Sequence, residues 1–274
     1  MKTKAMVFDM DGTLLMCNGY DLHPETLGAL KEAYDSGIKL IIATGRPLRF
    51  ALPIVEELGC FSYIITNDGS NLYELKTQQS TSKAHVEKEI YLLMVKKAIE
   101  TNSYMFVSTG SNIYKEFNYS HEEVPKQFIK LRRGENFDAT IEWFENIINT
   151  DTISQITLKN KPKVIQRITN EINEELGDKV LEHYPTSHYL SAMSSKASKL
   201  TTAKELVESI GIKISEVMAF GDSSNDIKML EGVGYGVCVG NGKETAKAVA
   251  DEVIGSHDTD AIAKKIREVI SNSK

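Results

Sequence analysis

Ala5-Met6-Val7-Phe8-Asp9-Met10-Asp11-Gly12-Thr13-Leu14 is the stretch on which the reading of the fold turns. Ala5 to Phe8 is a short unbroken apolar run, the pattern of a strand buried on both faces. The run stops at Asp9, so Asp9 falls at the carboxyl end of that strand, where open α/β sheets bind their ligands. Side chains alternate along an extended chain, so Asp9 and Asp11 face the same space while Met10 points away. Gly12 permits a sharp turn. Two carboxylates this close repel unless a cation or proton lies between them. One suits a nucleophile that also holds Mg²⁺, and the other a general acid and base. The plainer alternative is a strand ending in a polar turn.

Outward from this stretch, strands and helices alternate. Pro24 opens a helix carrying Leu27, Leu30 and Tyr34 on one face, and Gly37 ends it. Ile38 to Ala43 is a second buried strand. Pro47 to Leu58 reads as a helix closed by Gly59, and Tyr63 to Thr66 as a third strand. The last 80 residues repeat the pattern, with helices expected at Thr201–Ile210, Asn225–Glu231, from about Lys243 and from about Asp258. Strands are expected at Val217–Phe220, Tyr235–Val239 and Glu252–Ile254. This alternation predicts an α/β, Rossmann-like domain with a parallel sheet covered on both faces.

The middle of the chain differs. A helix at Val86–Glu100 leads into paired strands at Tyr104–Ser108 and Asn112–Phe117, then a polar stretch with a basic patch at Lys130, Arg132 and Arg133. Ile153–Leu158, a helix over Pro162–Leu176 and short strands near Leu181–Tyr184 and His188–Ala192 follow. We expect an α+β domain inserted into the α/β domain, with residues 1–82 and 189–274 forming the core and 83–188 the insert.

Composition bounds the partners. The 274 residues are 41% hydrophobic and 26% charged, with a formal charge of −6, so nothing electrostatic recommends nucleic acid. Cys17, Cys60 and Cys238 form neither a zinc-like pair nor a disulfide framework, which suits a reducing, cytoplasmic setting. No apolar run approaches the ~20 residues of a membrane span. The start, MKTKAMVFDMDG, has too short an apolar run for a signal peptide. Asn118-Tyr119-Ser120 matches a glycosylation sequon that a cytosolic chain would not use. There is no Gly-x₄-Gly-Lys-[Ser/Thr] loop, and Gly232-Val233-Gly234-Tyr235-Gly236 does not complete a dinucleotide fingerprint. The six histidines lack metal-ligand spacing and read as structural, with either His183 or His188 as a candidate to line the cleft where the insert returns.

Three further clusters lie at the ends of predicted elements. Thr44-Gly45-Arg46 ends the second strand, where a Thr hydroxyl and a Gly amide can donate to phosphate, although alone it is a common turn. Gly221-Asp222-Ser223-Ser224-Asn225-Asp226 follows another buried strand, and its carboxylates and amide suit a hard, oxygen-ligated cation. The plain reading makes Ser224 or Asn225 a helix cap and Asp226 a first-turn acid. An attacking carboxylate and a phosphate are both anions, so a fixed cation is needed between them. Lys199, just before a helix, is the candidate, and Lys196 its rival.

Together, Asp9-x-Asp11-Gly12-Thr13-Leu14, Thr44-Gly45-Arg46, Lys199 and Gly221-Asp222-Ser223-Ser224-Asn225-Asp226 resemble the four ordered motifs of the haloacid dehalogenase-like hydrolases. The long insert, preceded by Thr66-Asn67-Asp68-Gly69, looks like the Cof-type branch. The resemblance spans the chain and implies a Mg²⁺-dependent phosphatase with Asp9 as nucleophile and Asp11 as acid and base. It implies that Asp9, the backbone carbonyl of Asp11 and Asp222 hold Mg²⁺, with Asp226 supporting its water shell. The Met10 amide, Thr44, Gly45, Lys199 and Asn225 would hold phosphate. Asn67, Asp68 and Gly69 form a candidate specificity loop. This branch often reads Asn-Gly-Ala there, and it usually has Gly where this chain has Leu200. Ser198 before Lys199 and Ala203 after it favour Lys199 over Lys196.

The expected substrate is a small phosphorylated metabolite (a sugar phosphate, nucleotide or cofactor phosphate), hydrolysed by a monomer or homodimer without nucleic-acid or membrane partners. The insert would act as a lid that reads the leaving group. A sugar-phosphate mutase on the same scaffold is the nearest alternative. A phosphate-binding protein without chemistry is a different class, disfavoured because both candidate catalytic carboxylates are present.

Overall fold

The computed structural model describes residues 2–117, 138–176, 188–194 and 196–272. The expected basic patch at Lys130, Arg132 and Arg133, the strand at Leu181–Tyr184, the sequon, His121 and His183 lie outside these residues. In chain order, β1 (Ala5–Phe8) precedes a helix at Pro24–Asp35, and β2 (Lys39–Ala43) a helix at Leu48–Leu58. Next come β3 (Tyr63–Thr66), a single 3-10 turn at Asn67–Gly69, β4 (Asn71–Glu74) and β5 (Gln79–Ser82). A helix at Lys88–Thr101 leads to β6 (Tyr104–Thr109) and β7 (Tyr114–Phe117). A short helix at Ile141–Asn146, β8 (Ile153–Lys159), a helix at Pro162–Leu176 and β9 (Tyr189–Met193) follow. The chain ends with a helix at Lys199–Ser209, β10 (Val217–Gly221), a helix at Ile227–Gly232, β11 (Tyr235–Cys238), a helical turn at Glu244–Lys247, β12 (Glu252–Val253) and a helix at Ala261–Asn272.

Two compact units emerge: Met1–Gln79 with Ala197–Lys274, and Ser80–Lys196. The second unit runs to Lys196, beyond the expected end of the insert at 188. The reason is pairing: β9 is antiparallel to β8, from Gln155 opposite Met193 to Lys159 opposite Tyr189, so residues 189–193 belong to the second unit's sheet. The hydrophobicity of such a strand does not reveal which sheet it joins.

The first unit is built on a sheet of order β12-β11-β10-β1-β2-β3-β4. β1 lies parallel between β10 and β2, with Phe8 opposite both Phe220 and Ile42. All four residues of β1 and all five of β10 are buried, as a sheet covered on both faces requires. Ala5, Val7, Ala43, Ile65 and Ala219 face Ala203, Leu206 and Val207 of the helix at Lys199–Ser209. On the opposite face, the rings of Phe8 and Phe220 stack with centroids 4.7 Å apart. Such a pair contributes about 0.5–1.5 kcal/mol beyond its buried area. The sheet is not wholly parallel: β4 runs antiparallel to β3.

The second unit carries an antiparallel sheet of order β7-β6-β8-β9, an α+β arrangement. Met105, Val107, Ile156, Leu158 and Leu190 pack against Tyr91, Met94, Ile165 and Ile168 of its two long helices. The Tyr91 hydroxyl donates to the Phe144 carbonyl at 2.5 Å, which ties the short helix to this core. His188 lies just before β9, and its carbonyl accepts from the Asn160 amide. Among the described residues, no helix is long and apolar enough to cross a membrane.

Candidate active site

The shared register of β1, β2, β3 and β10 brings the loops that follow them to one edge of the sheet. Asp9, Thr44, Asn67 and Asp222 are the first residues past those four strands. The Asp9 amide donates to the Phe220 carbonyl, and the Thr44 amide to the Ile65 carbonyl, which extends the sheet pairing to the rim.

Lys199 enters this rim from below. Ser198 caps its helix by accepting the Thr201 amide, which fixes where the helix begins. The Lys199 ammonium donates to Asp9 Oδ1 at 2.5 Å and to Asp226 Oδ1 at 2.7 Å, and its side chain is only 1% exposed. Asp68 Oδ1 lies 3.9 Å away. Lys196 belongs to the second unit, where its side chain is 76% exposed and faces Glu87 at 3.7 Å. The turn ahead of Lys199 is held tightly. A Cβ on Gly69, whose φ is +109°, would lie 2.3 Å from the Ser198 carbonyl oxygen. The Thr202 hydroxyl donates to the Gly69 carbonyl at 2.7 Å. Only glycine fits there, on both conformational and steric grounds.

Asp9, Asp222 and Asp226 offer carboxylate oxygens within 4.8 Å of one another. Asp226 is fully committed: Oδ1 accepts from Lys199, and Oδ2 accepts the amides of Asp222 and Ser223 at 3.0 Å each. Asp222 Oδ1 accepts the Thr13 hydroxyl at 2.9 Å. Burial raises the Asp9 carboxyl well above its usual range, against the pull of Lys199, with Asp226 and Asp222 adding to the rise. Burial likewise raises Asp222, opposed by the Thr13 hydrogen bond. Burial acts to lower Lys199, but Asp226, Asp9 and Asp68 together hold it well above the ordinary lysine value, so it stays a cation. One buried cation therefore faces several carboxylates. A hard divalent ion beside Asp9 and Asp222 would offset that imbalance, and oxygen donors of this type suit Mg²⁺.

Asn225 Nδ2 donates to Asp68 Oδ1 at 2.8 Å, and Asn225 Oδ1 accepts the Ser223 hydroxyl. A Cβ on Gly45 would lie 2.9 Å from Asp68 Oδ2. Three of the predicted phosphate-holding residues, Gly45, Lys199 and Asn225, thus converge around the Asp68 carboxylate. The Asp68 amide donates to the Thr44 carbonyl, and Asn67 and Asp68 both take φ near +50°. The Thr44 hydroxyl is buried and accepts the Arg46 amide at 3.1 Å, which leaves its proton to give. Met10 is buried, as is Asp9, so the two do not alternate between core and solvent.

Asp11 stands apart from the Asp9 cluster. Its side chain is 54% exposed and both its oxygens meet Arg46, at 2.5 and 2.7 Å. Sequence reasoning gave Thr13 no role of its own and did not single out Asn241. The Asn241 side chain donates to the Gly12 carbonyl at 2.7 Å and accepts the His257 amide at 3.0 Å. His257 is buried, and its Nδ1–H donates to the Leu15 carbonyl at 2.8 Å. Position alone is the signal for Asn241, since it lies in the loop after the buried parallel strand β11.

A family model described as haloacid dehalogenase-like hydrolase matches residues 6–266, and the chain belongs to that family. It is 30% identical over 270 residues to the Bacillus subtilis 5-amino-6-(5-phospho-D-ribitylamino)uracil phosphatase YcsE, covering 96% of this chain and 94% of the relative. It is 29% identical to the Escherichia coli pyridoxal phosphate phosphatase YbhA, covering 97% and 98%. The solved structure of the subclass IIB sugar phosphatase BT4131 superposes with a TM-score of 0.80 at 26% identity, covering 97% of this chain and 98% of that one. The chain is accordingly an enzyme of the phosphatase kind within this family.

Proposed function

We propose that this phosphatase releases phosphate from a small phosphorylated metabolite through a phospho-aspartate formed on Asp9. The observation that carries the reading is Lys199, buried at the rim with its ammonium shared between Asp9 and Asp226. A fixed cation there draws an anionic phosphate towards an anionic nucleophile. Asp9 Oδ attacks phosphorus, the ester P–O bond breaks, and Asp11 gives its proton to the departing oxygen. Water then attacks the phosphorus of the acyl phosphate, Asp11 takes a proton from it, and the P–O bond to Asp9 breaks. The Met10 amide, Thr44, Gly45, Lys199 and Asn225 are the phosphate donors in this scheme. Asp9, the Asp11 carbonyl and Asp222 would hold Mg²⁺, which when bound neutralises charge between carboxylate and phosphoryl oxygens. Asp226, with both oxygens engaged, supports the amides of Asp222 and Ser223 instead of a metal directly.

The names of the relatives, a ribitylaminouracil phosphate and pyridoxal phosphate phosphatase among them, favour a phosphorylated metabolite as substrate here too. We read the unit Ser80–Lys196 as the cap that selects the leaving group. The test is phosphate release from a panel of phosphorylated metabolites with Mg²⁺, followed by borohydride trapping of the acyl phosphate. Asp9→Asn should abolish both turnover and trapping. Turnover that survives Asp9→Asn sinks the reading.

A further inference from the structure

The guanidinium of Arg46 joins three parts of the first unit. Its Nε donates to Asp11 Oδ2 at 2.7 Å and its Nη2 to Asp11 Oδ1 at 2.5 Å, a two-toothed fork on one carboxylate. Nη2 also donates to the Gly19 carbonyl at 3.0 Å. The arginine backbone is pinned as well: its amide donates to Thr44 Oγ1, and its carbonyl accepts the Asn67 amide at 3.1 Å. The guanidinium therefore hangs from a fixed point between the ends of β2 and β3. The loop that supplies Gly19 is braced internally. Asn18 Oδ1 accepts the amides of Tyr20 and Asp21, and the Met16 amide donates to the Asp21 carbonyl. A Cβ on Gly19 would come within 3.3 Å of Arg46 Nη2.

Asp11 needs such a brace. Its side chain is 54% exposed, and an exposed carboxylate samples several rotamers. A proton-transfer group must instead hold one orientation towards the reacting oxygen. The fork uses one lone-pair direction on each Asp11 oxygen and leaves the other direction of each open. We propose that Arg46 is the positioning residue for Asp11, fixing the carboxylate that exchanges a proton with the leaving group and with the attacking water. This rests on the role given to Asp11 above. Arg46 itself touches neither phosphorus nor leaving group in the scheme, and lysine cannot replace it because an ammonium has no fork.

The test uses two esters of similar shape, phenyl phosphate and p-nitrophenyl phosphate. The first has a poor leaving group that needs a proton, and the second a good one that does not. The ratio kcat/KM covers the steps up to leaving-group departure, so it isolates proton donation from the later water step. Arg46→Gln should lower kcat/KM for phenyl phosphate on the order of 10²-fold, the range of general acid catalysis, and for p-nitrophenyl phosphate by under about threefold. Arg46→Lys should show the same selectivity with a smaller loss, and it keeps the charge if the glutamine variant fails to fold. Equal losses on both esters, or none on either, overturn the proposal. Asp11→Asn, measured beside them, tells the two failures apart. If that variant shows no leaving-group selectivity, the role of Asp11 is wrong. If it shows selectivity and the Arg46 variants do not, the positioning role alone is wrong.

Discussion

The ammonium of Lys199 and Oδ1 of Asp9 lie 2.5 Å apart although 190 positions separate them in the chain. The contact crosses the whole insert, so it forms only when both halves of the first unit have folded together. Lys199→Met should leave Asp9 and Asp226 buried without their cation. Breaking one partner of a buried pair costs about 3–5 kcal/mol, because the remaining charge has no compensation. Urea unfolding of the metal-free variant is expected to show that loss, and a change below about 1 kcal/mol would contradict it.

Removal of Mg²⁺ should destabilise the protein more at high pH than at low pH. Asp9 and Asp222 have folded-state values raised above the ordinary 3.8, chiefly by burial. The folded state therefore holds more protons than the unfolded chain between 3.8 and those raised values. Stability of the metal-free protein consequently falls as pH rises through that window. Ionised Asp9 and Asp222 are the forms that bind a cation, so the rise in Tm on adding Mg²⁺ should be larger at pH 8 than at pH 5. Equal shifts at both pH values would count against a site built on these two residues.

Asp68 places a further negative charge beside the residues proposed to hold phosphate. Asp68→Asn keeps an oxygen to accept the Asn225 amide, a contact of 2.8 Å, but removes the charge that lies 3.9 Å from Lys199. Inorganic phosphate should inhibit this variant about 3- to 10-fold more tightly, the effect of deleting one like charge from a partly solvated site. Weaker inhibition would mean that Asp68 mainly orients Asn225 and Lys199.

Thiol chemistry separates the three cysteines. Burial pushes Cys60 and Cys238 up to about 11, and Asp222 adds to the rise at Cys238. At pH 8 only about one in a thousand of such thiols is ionised. Cys17 is exposed. Ellman's reagent should therefore titrate one thiol quickly in the native enzyme and three in denaturant. Two or more fast thiols without denaturant would show that the sheet and its covering helices open more readily than their packing implies.

How far the sequence carried can be judged from particular elements. Ala5–Phe8 and Pro162–Leu176 appear with their predicted limits, because one is an unbroken apolar run and the other starts at a proline. β5 escaped notice because Gln79, Ser80, Thr81 and Ser82 are all exposed and polar, leaving no periodicity to read. The helix expected from Lys243 shrinks to Glu244–Lys247, since alanine content marks helix propensity but not length. At the rim, Asp9 and Asp222 were legible because each directly follows a buried strand. The fork between Arg46 and Asp11 was not, because a bond across 35 positions leaves no trace in local pattern.

The glycine-tight seat between Gly69 and Ser198 also bears on how this chain could come to take a new substrate. It anchors the chain within the first unit just before Lys199, at the point where the insert ends. On the reading of Ser80–Lys196 as the cap, a change of substrate would be written in that unit, the visitor, while Lys199 keeps its seat at the hearth.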